Sequence, residues 1–209
     1  MKHEWRKIEK DIYMPKNEPE FIFIPSFKYF CIKGKGNPNG KDFANRIGAL
    51  YALSYTIRMM HKSGKIPEGY FEYTVYPLEG IWDLSEKGRK SQILIKDELI
   101  YTLMIRQPDF VDKSVVDRAF EIVRNKNVVN PLIEDVTFEE LKDGDSVQML
   151  HVGSYDTEVE TFDKMKEYIS KNDLEIRTLV HREIYLSDFR KTSPNKLKTV
   201  LRYKVNKLQ

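Results

Sequence analysis

His181, Glu183 and Tyr185 alternate along Val180-His181-Arg182-Glu183-Ile184-Tyr185-Leu186-Ser187-Asp188, a run rich in β-branched and aromatic residues that closes on a Ser-Asp turn signal. Successive side chains of a strand point to opposite faces. An imidazole, a carboxylate and a phenol therefore share one face, with Val180, Ile184 and Leu186 on the other. A carboxylate in mid-strand is costly to bury without a partner. It is either a solvated or ion-paired group on an open sheet face, or a base held in a site.

The other groups able to do chemistry are scattered. Tyr51 and Tyr55 stand four apart on a helical pattern and so neighbour each other, as a core stripe or as a ligand wall. Trp82 follows the bend Pro77-Leu78-Glu79-Gly80-Ile81 and can be core or pocket wall, with Tyr76 and Glu79 beside it. His151, His181 and Glu183 can meet in space, but there is no His-Glu-x-x-His and no cysteine cluster, so hydrogen-bonded sheet histidines are expected and no metal. The loop Gly34-Lys35-Gly36-Asn37-Pro38-Asn39-Gly40 lacks the Gly-Lys-Ser/Thr close of a phosphate loop and reads as a turn.

The elements that must position these groups follow from periodicity. Residues 1–20 read as an irregular arm, and Phe21–Ile24 as a brief apolar stretch. Phe27–Lys33 is a strand; Asp42 caps a helix running to about His61. Strands are expected over 70–76 and 96–107, with a charged hairpin-like turn at 85–91 between them, then a helix over 112–126 and a connector over 127–145 containing the Asp143-Gly144-Asp145 turn. Ser146–Val152 is a strand, and Thr157 with Glu160 has the spacing of a capping box opening a helix that ends at Asn172-Asp173. The Glu183 strand, a basic turn at Arg190, Lys191 and Pro194, and a last strand over 197–205 complete the chain.

Strand, helix, strand, strand thus occurs twice, over about 27–107 and about 146–205. The expectation is one α+β domain over 1–209, a pair of pseudo-symmetric strand-helix-strand-strand repeats whose uncovered sheet faces form a central ligand cleft.

Composition narrows the setting. The 209 residues are 41% hydrophobic and 12% aromatic, as in a folded domain. A net charge of +3, from 35 basic and 32 acidic residues, makes no case for direct nucleic-acid binding. The single cysteine, Cys31, lies in Tyr29-Phe30-Cys31-Ile32 and reads as an inert core thiol; with no secretory leader and no membrane-length apolar run, a cytoplasmic setting is expected.

Four segments together carry a resemblance: Tyr76–Trp82, Met104–Val111, Gln148–Tyr155 and His181–Asp188. In these the chain resembles the GyrI-like small-molecule-binding domain family, a fold also used as the effector-binding half of some multidrug-responsive transcription regulators. The resemblance implies two strand-helix-strand-strand repeats around a cleft, with Glu183 as the pocket acid that meets cationic or polarised aromatic ligands. No helix-turn-helix precedes the domain, which points to the stand-alone branch. Some stand-alone members hydrolyse the strained cyclopropane of DNA-alkylating cyclopropanoid natural products, using a glutamate with tyrosine and tryptophan. Glu183, Tyr55 and Trp82 match those catalytic roles, with Tyr51 as the alternative tyrosine; Tyr51, Tyr76, Glu79, His151, His181 and Tyr185 are the expected ligand contacts. No cofactor is implied. The expected partner is a hydrophobic aromatic or cationic small molecule. The rival readings are a sequestering or effector-binding protein without turnover, and an interaction with DNA gyrase.

Overall fold

The computed structural model describes residues 2–64, 66–128 and 130–208. Its main elements are helices α1 (Trp5–Ile8) and α2 (Lys10–Tyr13), strand β1 (Glu20–Lys35), helix α3 (Lys41–Met59), strand β2 (Leu78–Leu84), helix α4 (Glu86–Lys90), strand β3 (Leu99–Gln107), helix α5 (Lys113–Arg124), strand β4 (Thr137–Val152), helix α6 (Glu158–Lys171), and strands β5 (Leu174–Tyr185) and β6 (Lys198–Lys207). The fold is a mixed one of strands and helices. Among the described residues no helix is long and apolar enough to cross a membrane.

Several local expectations are corrected. The arm over 1–20 contains two short helices, with Trp5 and Tyr13 buried and their rings 5.2 Å apart. Residues 70–76 do not form a strand: only Tyr73 makes a bridge, to His3, so the alternation there marks an irregular segment. The 85–91 turn is helical, capped by the Ser85 hydroxyl, which accepts from Gly88 N. Residues 96–98 form a 3-10 turn before β3. β4 begins at Thr137, not 146; Gly144, at φ 72, lets the strand run through what reads as a turn. Asp42 lies inside α3, where its carboxylate holds Arg46 one turn on, and Gly40 takes the cap position. Thr157 does not form the capping box; its hydroxyl donates to the Ser154 carbonyl instead.

The chain divides into two compact units. The first comprises Met1–Glu4, Phe27–Leu78 and Leu84–Leu141. Within it β1 pairs antiparallel with β3, Lys28 facing Gln107 and Lys35 facing Ile100. Leu50, Leu53 and Ile57 of α3 are buried, as are Val115, Val116, Ala119 and Val123, the apolar side of α5. Asp112 caps α5 by accepting from Val115 N. Cys31 is fully buried.

The second unit comprises Trp5–Ser26, Glu79–Asp83 and Lys142–Gln209. Here β2 pairs with β5, β5 with β6, and β6 with β4, all antiparallel. α6 covers one face: Met165 and Ile169 pack on Val147, Met149, Leu201 and Val205. A bulge in β5 decides which side chains share that face. Ile176 faces Val205 and His181 faces Tyr203, so five steps along β5 (181 − 176) run against two along β6 (205 − 203). The excess of three is odd, so it reverses the alternation. Even positions before the bulge and odd positions after it look toward α6, which is how Glu183 comes to lie beneath that helix.

The expected repeat is not confirmed: the strand expected over 70–76 is absent, β2 forms instead from the stretch that reads as a bend, and α4 stands between β2 and β3, so the first run is β1-α3-β2-α4-β3 against β4-α6-β5-β6. The compact units also cut across those runs, because Glu79–Asp83 of β2 belongs with β5 in the second unit.

Candidate active site around Glu183

Register brings the site together. Gly80 faces Glu183 and Trp82 faces His181 across β2 and β5, while Tyr203 and Leu201 face His181 and Glu183 across β5 and β6. Both oxygens of Glu183 are engaged. Oε2 accepts from the Tyr185 hydroxyl at 2.7 Å, and Oε1 lies 3.0 Å from His181 Nε2. The Tyr185 oxygen accepts in turn from the Trp82 indole N–H at 2.8 Å. A Cβ at residue 80 would stand 2.7 Å from Trp82 Nε1 and 3.2 Å from the Tyr185 oxygen, so glycine there leaves the room in which these two groups meet.

Aromatic edges enclose the imidazole. Phe162 of α6 meets the His181 ring edge-on at 4.8 Å, Tyr203 stands 6.1 Å away, and Tyr155 meets Tyr185 edge-on at 6.2 Å. Burial and the Glu183 carboxylate push the Tyr185 hydroxyl well above the ordinary phenol range, so it stays a donor. Tyr155 is raised to about 12, by desolvation first and then by Glu183, Glu158 and Asp188. Glu158, the first residue of α6, is buried, and its carboxyl is pushed up to about 9 by that burial, by Glu183 and by Asp156. One site therefore holds a hydrogen-bonded carboxylate and a carboxyl that keeps its proton at neutral pH.

Trp82, His181, Glu183 and Tyr185 are thus brought together. At 7% exposure Trp82 presents little face for stacking; its visible part is to hold Tyr185. The remaining candidates lie elsewhere. Glu79 and Arg182 project from the opposite face of the sheet. There Arg182 binds Glu79 at 2.8 Å and Asp143 at 2.7 Å, and Asp143 also meets Arg202 and Lys204. Burial would raise Asp143, but Arg182, Arg202 and Lys204 hold it well below the usual carboxylate range, while burial wins at Glu79 and moves it up. Gln148 joins this face through Arg202 and ties down the N-terminal segment at the Asp11 carbonyl and Glu20. His151 is tied to Thr161 Oγ1 at 2.8 Å and the Ser154 carbonyl at 3.0 Å. Tyr76, in the first unit, lies under the Arg106 guanidinium, with its hydroxyl 3.3 Å from His3. Tyr51 and Tyr55, also in the first unit, line a hollow of about 450 Å³ with Met59, Met60, Ile122 and Lys126.

Sequence reasoning missed Glu158, Tyr155 and Arg182. Arg182 has the same parity as Val180 and Ile184, which was the available signal for its place on the sheet face opposite Glu183. Nothing in the run after Ser154 marks Glu158 as buried. Among the described residues no group of three or more His, Cys, Asp or Glu is arranged to hold a metal ion.

The family model for the GyrI-like small molecule binding domain matches residues 17–205. The chain belongs to that family. A solved structure of a hydrolase from Listeria innocua is 36% identical over 98% of this chain and 100% of that one, with a TM-score of 0.89. An uncharacterized conserved protein from Listeria innocua is similar at 36% identity, 98% and 100% coverage and a TM-score of 0.91. The C-terminal domain of EcmrR, at 12% identity over 91% of this chain and 98% of that one and a TM-score of 0.53, shares the fold alone. No curated protein sequence matches the chain.

Proposed function

We propose that this GyrI-like domain hydrolyses small electrophiles, with Glu183 as the base that activates water, and that its substrates are strained cyclopropanes of the cyclopropanoid class. The observation that carries the reading is the fixed triplet Trp82–Tyr185–Glu183, with His181 on the second carboxylate oxygen. A carboxylate oriented by two donors at a site edged with aromatic rings is preorganised for proton transfer beside a flat ligand. Identity of 36% with a protein described as a hydrolase supports the reaction type.

The step balances as follows. Water oxygen bonds to the ring methylene of a spiro-cyclopropane conjugated to a dienone. The ring carbon–carbon bond breaks, and its electron pair restores an aromatic ring as a phenolate. One water proton passes to Glu183 and the other stays on the new alcohol oxygen; the phenolate takes up a proton from an acid or from solvent, and Glu183 returns its own to solvent, so that one water is added in all. Tyr185 fills the tyrosine role expected of Tyr55, because its hydroxyl is the one that touches Glu183.

Glu183→Gln keeps the size and removes the base. Turnover of a cyclopropanoid electrophile is expected to fall about 10²-fold or more, the loss associated with general-base help, while a neutral flat ligand binds nearly as before. A second reading, binding without turnover, draws on the aromatic edges of Phe162, Tyr203 and Tyr155. Wild-type product formation at the uncatalysed rate selects that reading and removes the enzyme.

A further inference from the structure

Glu158 is the carboxyl that the Glu183 base leaves unused. It opens α6, is 8% exposed, and its Oε1 has no hydrogen-bond partner among the described residues. Buried polar atoms nearly always find a partner, and one left without costs stability. The charged groups that act on it are Glu183 of β5, whose two oxygens meet Tyr185 and His181, and Asp156 of the turn that leads into α6; Glu158 acts in turn on Tyr155 of that turn and on Tyr185.

We infer that Glu158 is the acid of this site, delivering a proton to the oxygen on which negative charge collects as the substrate opens. The inference rests on the hydrolytic reading and names the second half of its chemistry. The other hydroxyls are poorly placed for that task. The Tyr185 hydroxyl already donates its hydrogen bond to Glu183, and its oxygen accepts from the Trp82 N–H. Tyr155, at about 12, holds its proton too tightly to give it up readily. Glu158, at about 9, is loaded at neutral pH and lies close to the value of an ordinary phenol, about 10. Proton transfer is most effective between groups so matched. The pairing also defines the substrate. A neutral carboxyl beside a carboxylate suits a neutral conjugated carbonyl compound whose departing oxygen becomes a phenolate. An organic cation would gain more from two ionised carboxylates.

The test is a pH–kcat profile of wild type, Glu158→Gln and Glu183→Gln on one cyclopropanoid dienone, with Glu158→Asp as a variant that keeps the acid. Wild-type kcat is expected to fall as pH rises through about 9, as Glu158 loses its proton. Glu158→Gln is expected to lose about 10²-fold in kcat with KM little changed, and to lose the alkaline limb. Glu158→Asp is expected to recover part of the rate and the limb. Unchanged kcat in Glu158→Gln, or a wild-type profile flat to pH 10, overturns Glu158 as the acid while a deficient Glu183→Gln upholds the base. Wild-type turnover at the uncatalysed rate overturns both.

Discussion

The Trp82 indole N–H donates to the Tyr185 oxygen at 2.8 Å, and the same hydroxyl donates to Glu183 at 2.7 Å. A donor that is itself held has less orientational freedom to lose when it serves the carboxylate. Trp82→Phe keeps an aromatic ring and removes the N–H. It is expected to cost about 1 kcal/mol of stability, the net worth of a hydrogen bond, and about tenfold in kcat as Tyr185 gains freedom. Denaturant unfolding and steady-state kinetics read the two effects separately. Gly80→Ala is expected to be harsher, because its methyl would enter the space in which the two groups meet. A Gly80→Ala protein with wild-type kcat would show that the Trp82–Tyr185 contact is dispensable.

The ion network on the opposite face predicts an acid limb in stability. Asp143 is held below the usual range in the folded protein, so its contribution is present above about pH 4 and is lost as pH falls below that. Arg182→Met leaves buried Asp143 without its closest cation and is expected to destabilise by about 3–5 kcal/mol at pH 7, as for a broken buried pair. Thermal unfolding of both proteins from pH 7 to pH 3 checks this; the difference between them should narrow toward the acid end.

Glu158 predicts the opposite sign. Its folded value is raised to about 9, above the ordinary carboxylate range, so its contribution is fully present below about pH 4.5 and diminishes as pH rises toward 9. Glu158→Gln removes that penalty and is expected to stabilise the protein by on the order of 1–3 kcal/mol at pH 7–9, with little change at pH 4. Urea unfolding midpoints at pH 4 and pH 8 measure it.

The Glu183 strand was legible because alternation after the bulge is regular; its neighbour β2 was not, because Pro77 and Gly80 make Leu78–Leu84 read as a bend and the alternation over 70–76 drew the strand there instead. The three-residue excess between Ile176 and His181 was not legible, since it exists only against the partner strand. Asp143-Gly144 misled for a related reason. The same dipeptide serves a turn or a strand interruption, and only the buried arginines that Asp143 meets distinguish them. Tyr51 and Tyr55 were correctly neighbours, with rings 5.9 Å apart, but a helical period does not say what the helix faces. Glu158 was hidden because a glutamate in a first helical turn is ordinarily a solvated one.

The chain holds two tryptophans, Trp5 and Trp82, and both are buried in the second unit. Only Trp82 belongs to the hydrogen-bonded chain that ends on Glu183. In a Trp5→Phe protein the intrinsic fluorescence would come from one indole bonded to the site's own tyrosine. Its emission would follow occupancy and protonation of the site directly, with no dye attached.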